Sequence, residues 1–402
     1  MTSLPRLAAQ PPDLRRRNLS VLLHTLQSHG PTPRADLARI TGLAPGTVTK
    51  LTAELLTARI VHEQPSEESR RLPGRPRVPV AIDRRHLRTA GVHIGLLRTT
   101  VGLVDLAGGI VEERRLTHRS RRPESIIRQA VKALRALVDA QPAGSVLGVG
   151  ASISGMVDPA TGVVPEHPSL GWSEVALRDA LEAGAGLPVV LDSTMRALPL
   201  AESWFSAGGA VPSMLHVFVG NVVGAALLVD GKPLLGPSAA AGYLDHLPTR
   251  VRTRRRCECG RDDCLAASAS DVVIVEEARA KGLLGPDEDL ERLHELAEAG
   301  DAAADRLLRR RAELVGAAVA LLVEVLDPHV VVLGGGVILG STYLDDIRRA
   351  VSDGVRRPLA IPVENLVRTT SFGPHAVMFS SAALFLDAFY RDPAAFTGFG
   401  RS

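Results

Sequence analysis

Cys257, Cys259 and Cys264 are the chain's three cysteines, and they fall within eight positions of one another. Thiolates that close suit a metal ion in a reducing compartment, the cytoplasm, better than a disulfide framework. A second set of residues suits nucleic acid. In PGTVTKLTAELL, Val48, Leu51 and Leu55 recur at i, i+3 and i+7, which predicts an inward helical face. Gly46, Thr47, Thr49 and Lys50 are then left on the exposed N-terminal end, where a recognition helix presents side chains to the DNA major groove. Arg34, opening the helix before it, joins them as a candidate contact. In Gly74-Arg75-Pro76, Arg75 is the candidate for the minor groove, where narrow A/T tracts concentrate negative potential.

The elements that must position these side chains are legible nearby. Thr32-Pro33 reads as an N-cap and first helical position. Leu37 and Ile40 read as a short apolar face, and Thr41-Gly42-Leu43 as the turn into the recognition helix. From this stretch alone an ordinary helical hairpin is the alternative. Leu19, Leu22, Leu23 and Leu26 form a stripe on a preceding helix. Beyond Ile60-Val61, two short β-like runs flank a polar, basic tip, the pattern of a wing, although Arg70 and Arg71 fit a solvated linker equally well. Residues 1–12 are expected to be mobile and 13–82 to form a winged helix-turn-helix.

Composition agrees with a basic module on a separate body. Residues 1–80 carry twelve Lys/Arg against six Asp/Glu, whereas the remainder carries 35 against 38. Such a head suits phosphate, and its lack of Phe, Trp and Tyr leaves no stacking platform for unpaired bases, so duplex DNA is the expected partner. No apolar run reaches the length of a membrane span and no signal-peptide core is present at the N-terminus.

The body, 83–402, contains an internal repeat. TAGVHIG followed by TTVGLVDL returns as MLHVFVG followed by VVGAALLVDG, and in both copies a glycine precedes an aspartate by ten positions: Gly95 to Asp105, Gly220 to Asp230. Repetition on this scale predicts two related α/β lobes with a cleft between them. Lobe 1 is expected over about 83–200 plus a closing helix at 375–392, and lobe 2 over about 201–374. Trp172 and Trp204 are expected to pack lobe 1. His216 and His329 read as core or rim residues, and the Arg252–Arg256 run as solvated.

GVGASISGMVDPATGVV at 148–164, PSLGW at 168–172, the second repeat, the cysteine cluster and LDPHVVVLGGGVI at 326–338 together resemble the ROK family. That family groups sugar kinases with transcriptional repressors. The resemblance spans nearly the whole chain and implies an actin/hexokinase-like two-lobe α/β fold. The winged head implies the repressor branch.

The resemblance also supplies a test for kinase chemistry. Family kinases carry Asp-x-Gly-Gly-Thr in the first hairpin, so that backbone N–H groups can approach ATP phosphates. Here the stretch is His93-Ile94-Gly95-Leu96-Leu97. The family's general base is the Asp of an Asn-Asp pair, which here reads Ser193-Thr194, and a threonine cannot accept a proton at neutral pH. Asp192 is two positions early. Gly334-Gly335-Gly336 is retained, but tight packing accounts for it equally well. The expectation is therefore no enzyme.

The family's sugar-binding positions read Ser169, Ser193, Thr194, Tyr243 with His246, and Ala266, a degenerate effector site for an altered, less hydroxylated or anionic ligand, or for none. His246, Cys257, Cys259 and Cys264 match the family's structural zinc ligands, with Asp263 replacing a glycine. Four N/S ligands close a tetrahedral site and leave no open catalytic position. The expectation is a DNA-binding regulator, a homodimer or dimer of dimers on a palindromic operator. It has two rivals: a sugar kinase with a fused head, and a repressor controlled by a protein partner.

Overall fold

The computed structural model of the 402-residue chain describes residues 11–64, 78–206, 211–253 and 255–397. The head begins with α1 (Pro11–His29), so the helix starts inside the stretch expected to be mobile, of which 1–10 lie outside the described residues. Leu19, Leu22, Leu23 and Leu26 are all buried. Next come β1 (Thr32–Pro33), α2 (Arg34–Thr41), α3 (Pro45–Thr57), β2 (Val61–Glu63) and β3 (Pro79–Ile82).

Two local expectations are corrected here. Thr32 is not a helix cap: its backbone pairs with Val80 of β3, its hydroxyl donates to the Gly30 carbonyl, and Pro33 occupies the cap position without a side-chain bond. Pairing with a distant strand outweighs the local signal. Ile40 is 39% exposed, leaving Leu37 as the inward residue of α2. Gly42 ends α2 at φ 69°, a left-handed conformation that costs glycine little. β2 and β3 pair antiparallel, with Val61 opposite Ile82, as the stem of a wing. Its tip, including Arg70, Arg71 and Gly74-Arg75-Pro76, lies outside the described residues.

In the first lobe follow β4 (Arg88–Ile94), β5 (Arg98–Asp105), β6 (Ile110–Thr117), α4 (Pro123–Val138), β7 (Val146–Ile153), β8 (Val164–His167), β9 (Trp172–Val175), α5 (Leu177–Ala185) and β10 (Val189–Ser193). Among the described residues its main sheet runs β10-β7-β4-β5-β6. Ile126, Ala130, Leu134 and Leu137 of α4 and Leu177 and Leu181 of α5 cover one face, and Trp172 is buried in the same core.

α6 (Thr194–Phe205) leads to the second lobe. There lie β11 (Ser213–Val219), β12 (Val223–Val229), β13 (Lys232–Pro233), α7 (Leu265–Ala269), α8 (Asp271–Ala280), α9 (Leu290–Glu298), α10 (Ala302–Leu326), β14 (Val330–Gly334), α11 (Ser341–Gly354), α12 (Val363–Leu366) and β15 (Val367–Thr369). Its sheet runs β13-β12-β11-β14-β15 among the described residues. The repeat is visible in this order. β4 lies between antiparallel β5 and parallel β7, as β11 lies between antiparallel β12 and parallel β14.

The chain ends in α13 (Ala376–Arg391) and α14 (Pro393–Thr397), and α13 returns to the first lobe's sheet. Glycine makes this approach possible: a Cβ on Gly150 would sit 1.9 Å from the Ser381 carbonyl oxygen, and one on Gly91 2.6 Å from that of Met378. The boundary expected near residue 200 falls inside α6, which packs on both α13 and the β11–β12 hairpin. Within α6 the buried Glu202 accepts from the Ser371 N–H at 2.8 Å and hydroxyl at 2.9 Å, and also from Thr370, fixing the helix to the end of the second sheet.

Head and body share one core. Leu19, Leu22, Leu37, Val48 and Leu55 of the head belong to the same buried cluster as Leu106, Phe379, Phe385 and Tyr390 of the body. Each such side chain contributes roughly 1.5–3 kcal/mol when fully buried, so packing holds the head on the body. Trp204 sits at this junction and not inside the first lobe. Its ring centroid is 4.7 Å from that of His24 on α1 and 5.1 Å from that of Tyr390, and its Nε1 donates to Asp387 at 2.7 Å.

Candidate functional site

His93 and Thr194, the positions where the resemblance places the kinases' carboxylates, meet two serines inside the first lobe. β4 delivers His93, β7 delivers Ser152, the start of α6 delivers Thr194, and α13 delivers Ser381. His93 Nδ1 lies 3.2 Å from both Ser152 Oγ and Thr194 Oγ1, and Ser152 Oγ lies 2.8 Å from Ser381 Oγ. All four side chains are buried, and burial depresses His93 to a pKa of about 3. The cluster is thus neutral at physiological pH and holds no carboxylate, either for a metal or as the base for a sugar hydroxyl.

Asp192 is committed elsewhere. Its Oδ1 accepts from Arg196 Nε at 2.7 Å and from the Ser193 N–H at 2.7 Å. Arg196 in turn donates from Nη1 to the Ala239 carbonyl at 2.7 Å and from Nη2 to the Val157 carbonyl at 3.0 Å. At the former phosphate turn, Gly95 N–H already bonds the Arg98 carbonyl, and Leu97 is 51% exposed. Packing accounts for the retained glycines of the second lobe: a Cβ on Gly335 would strike the Val219 carbonyl at 2.4 Å, and one on Gly336 the Asp271 carboxylate at 2.4 Å.

A cavity of about 230 Å³ lies between the lobes. Ser169, Ser193 and Tyr243 line it; Thr194, 1% exposed, turns instead to the His93 cluster. His246 is not on the cavity wall, but its ring lies edge-on to Tyr243 with centroids 5.6 Å apart. Sequence reading missed three carboxylates on this wall: Glu166, Asp245 and Glu258. Asp245 stands immediately before His246, and burial raises it to about 6. Burial and the adjacent Asp245 hold the Tyr243 phenol in its protonated form, pushed up to about 12. Ser169 Oγ donates to Glu258 Oε1 at 2.8 Å, joining the first lobe to the cysteine loop across the cavity mouth.

The fold brings the four N/S candidates together. The ligand atoms of His246, Cys257, Cys259 and Cys264 all lie within 4.8 Å of one another, with His246 Nδ1 3.3 Å from Cys257 Sγ and Cys259 Sγ 3.5 Å from Cys264 Sγ. Zinc at about 2.3 Å from sulfur and 2.0–2.1 Å from nitrogen demands ligand separations of this order, so the donor set fits a metal. Burial and the neighbouring thiols push Cys264 up to about 12, a cost that a bound cation removes.

On the head, α3 begins at Ala44-Pro45 without a side-chain cap, so its first N–H groups point outward. Gly46, Thr49 and Lys50 are exposed and Thr47 is half-buried. The Thr49 hydroxyl donates to the Pro45 carbonyl at 2.9 Å, leaving its methyl group and remaining lone pairs for a partner. Arg34 is held by Glu63 of the wing stem at 2.8 Å, an exposed pair that a phosphate can displace at small cost. Among the described residues, no helix is long and apolar enough to cross a membrane.

The putative xylose repressor of Caldicellulosiruptor sp. (strain Rt8B.4) is 28% identical over 354 residues, which is 84% of this chain and 88% of that protein. A transcriptional regulator of Mycobacterium bovis is 29% identical over 386 residues, 92% of this chain and 85% of its own. The crystal structure of a ROK family transcriptional regulator, a homologue of the E. coli MLC protein, superposes with a TM-score of 0.76 at 23% identity, covering 94% of this chain and 97% of that one. The ROK family model matches residues 89–388, both lobes and the returning helix, and the chain belongs to the ROK family.

Proposed function

We propose that this protein is a DNA-binding transcriptional regulator, a repressor of carbohydrate-related genes, whose kinase-like cleft senses a small molecule without phosphorylating it. The observation that carries this reading is the His93–Ser152–Thr194–Ser381 cluster: a neutral hydrogen-bonded plug occupies the place where transfer chemistry needs carboxylates. The winged head and the regulator relatives support the DNA-binding half. In this reading the body is also a dimerising platform that brings two heads to a palindromic duplex. α10 leaves Leu321 56% and Val325 79% exposed on successive turns, an apolar strip suited to a second copy. The protein works in the cytoplasm, where DNA and reduced thiols coexist. Measuring ATP turnover against a sugar panel, beside fluorescence anisotropy on duplex DNA from its own upstream region, tests both halves. Turnover with any sugar, or no duplex binding at low salt, removes the reading.

Lys50, Thr47, Thr49 and Gly46 meet the major groove, with Arg34 on the backbone and Arg75 in the minor groove. Lys50→Ala is expected to weaken binding across sequences and to flatten the dependence of log K on log salt by about one unit. Unchanged affinity and slope would remove Lys50 from the interface.

His246, Cys257, Cys259 and Cys264 would hold a structural zinc ion, whose contribution is folding energy and a fixed loop beside the cavity. Cys257→Ala is expected to lose stoichiometric zinc and to melt earlier than the parent. Parent protein purified without any bound metal, and stable to chelator, would exclude the site.

A further inference from the structure

We propose that the interlobe cavity is built for a hexose-sized hydroxylated ligand carrying a protonated amine, and that it discriminates against phosphorylated ligands. This rests on the reading of the cavity as the sensory site and names the ligand class.

Three carboxylates reach the wall from separate segments: Glu166 from β8, Asp245 from the loop before His246, and Glu258 from the cysteine loop. Among the described residues the wall carries one cation, Arg196, and it is fully engaged by Asp192 and by the Val157 and Ala239 carbonyls. A phosphate entering here meets carboxylates and, among the described residues, no free cation; an ammonium meets acceptors. Nor do the carboxylates converge on one ion. Among the described residues, the ligand atoms that gather closely enough for a metal are those of His246 and the three cysteines.

A buried ring nitrogen on the same wall points independently to a hydrogen-bonding ligand. His167 is 4% exposed, and its Nε2 has no hydrogen-bond partner among the described residues. Whether that nitrogen carries the ring's proton or its lone pair, it is left without a partner there. Gly155, also on the wall, keeps that edge open, since a Cβ there would lie 2.9 Å from His167 Cδ2 and 3.4 Å from Nε2. An unpaired buried polar atom is costly, and a ligand hydroxyl, which both donates and accepts, relieves the cost. The Ser169–Glu258 bond at the mouth puts one of the three carboxylates within reach of both lobes, so a ligand that engages Glu258 bears on their spacing.

Four probes that share one ring separate the possibilities: glucosamine, glucose, N-acetylglucosamine and glucose 6-phosphate, titrated calorimetrically into the full-length protein at pH 7. Glucosamine is expected to bind at least ~10-fold tighter than glucose or N-acetylglucosamine, and glucose 6-phosphate not at all at millimolar concentration. Glu166→Gln, at an exposed position, is expected to reduce the preference for glucosamine over glucose several-fold, and His167→Phe to weaken both sugars about equally. Tighter binding of the phosphate, equal binding of amine and acetamide, or binding of none of the four overturns the assignment. Anisotropy on duplex DNA, run on the same unliganded samples, reports the regulator reading separately: intact DNA binding with no sugar preference sinks the ligand class alone.

Discussion

Replacing Arg196 with methionine is expected to cost about 3–5 kcal/mol of stability, the range for removing one partner of a buried ion pair. The Arg196 side chain is 3% exposed and that of Asp192 14%, so the carboxylate left behind would face little water. More than the pair is lost. The guanidinium also bonds the Val157 carbonyl, in the first lobe, and the Ala239 carbonyl, in the second, and each would lose a charge-assisted donor. Arg196→Lys should recover only part of the loss, because an ammonium cannot span these acceptors as a planar fork does. The double variant Asp192→Asn with Arg196→Met should be more stable than Arg196→Met alone, since it removes the orphaned charge. Urea unfolding of the four proteins provides the comparison. A single variant within about 1 kcal/mol of the parent would show that the clamp is not structural.

This clamp also marks the limit of what the sequence discloses. Val48, Leu51 and Leu55 are legible because one helix repeats its inward face every three to four residues, and Gly42 because a left-handed stop favours glycine. The repeat gave the two lobes, since equal spacing of Gly95–Asp105 and Gly220–Asp230 requires no tertiary knowledge. Arg196, by contrast, finds its carbonyl partners 39 and 43 positions away, and no local pattern announces them. Thr32 was misread for a similar reason: Thr-Pro satisfies the rules for a helix start, and only β3 reveals that the segment is a strand.

The cavity is a mixed case. Ser193 and Thr194 are adjacent in sequence but diverge as N-cap and first residue of α6, so one faces the cavity and the other the His93 plug. Resemblance identified positions whose family residues had gone. It was silent about Glu166, Asp245 and Glu258, which supply acceptors from places outside those positions.

Truncation of Trp204 carries the second large expectation, because α6 joins the interlobe cavity to the head. At its N-terminal end Ser193, Met195 and Arg196 line the cavity; at the other, Trp204 lies between His24 of α1 and Tyr390 of α13. Twelve helical residues span about 18 Å at 1.5 Å each. A shift at the cavity therefore has a single helix through which to reach α1, whose leucines form the base under α2 and α3. Trp204→Ala is expected to cost about 3 kcal/mol through the cavity it opens and the lost bond to Asp387. The loss should be local. Amides of residues 19–26 should exchange with solvent about 100-fold faster, converting that energy at 1.4 kcal/mol per decade, while those of β7 at 146–153 stay protected. Duplex binding should weaken as head orientation loosens, and Trp204→Phe should restore most of both properties. Equal acceleration in both segments would mean that Trp204 supports the body as a whole. No change in either would leave the head oriented by its leucines alone, and α6 would then have no part in telling the head what the cavity holds.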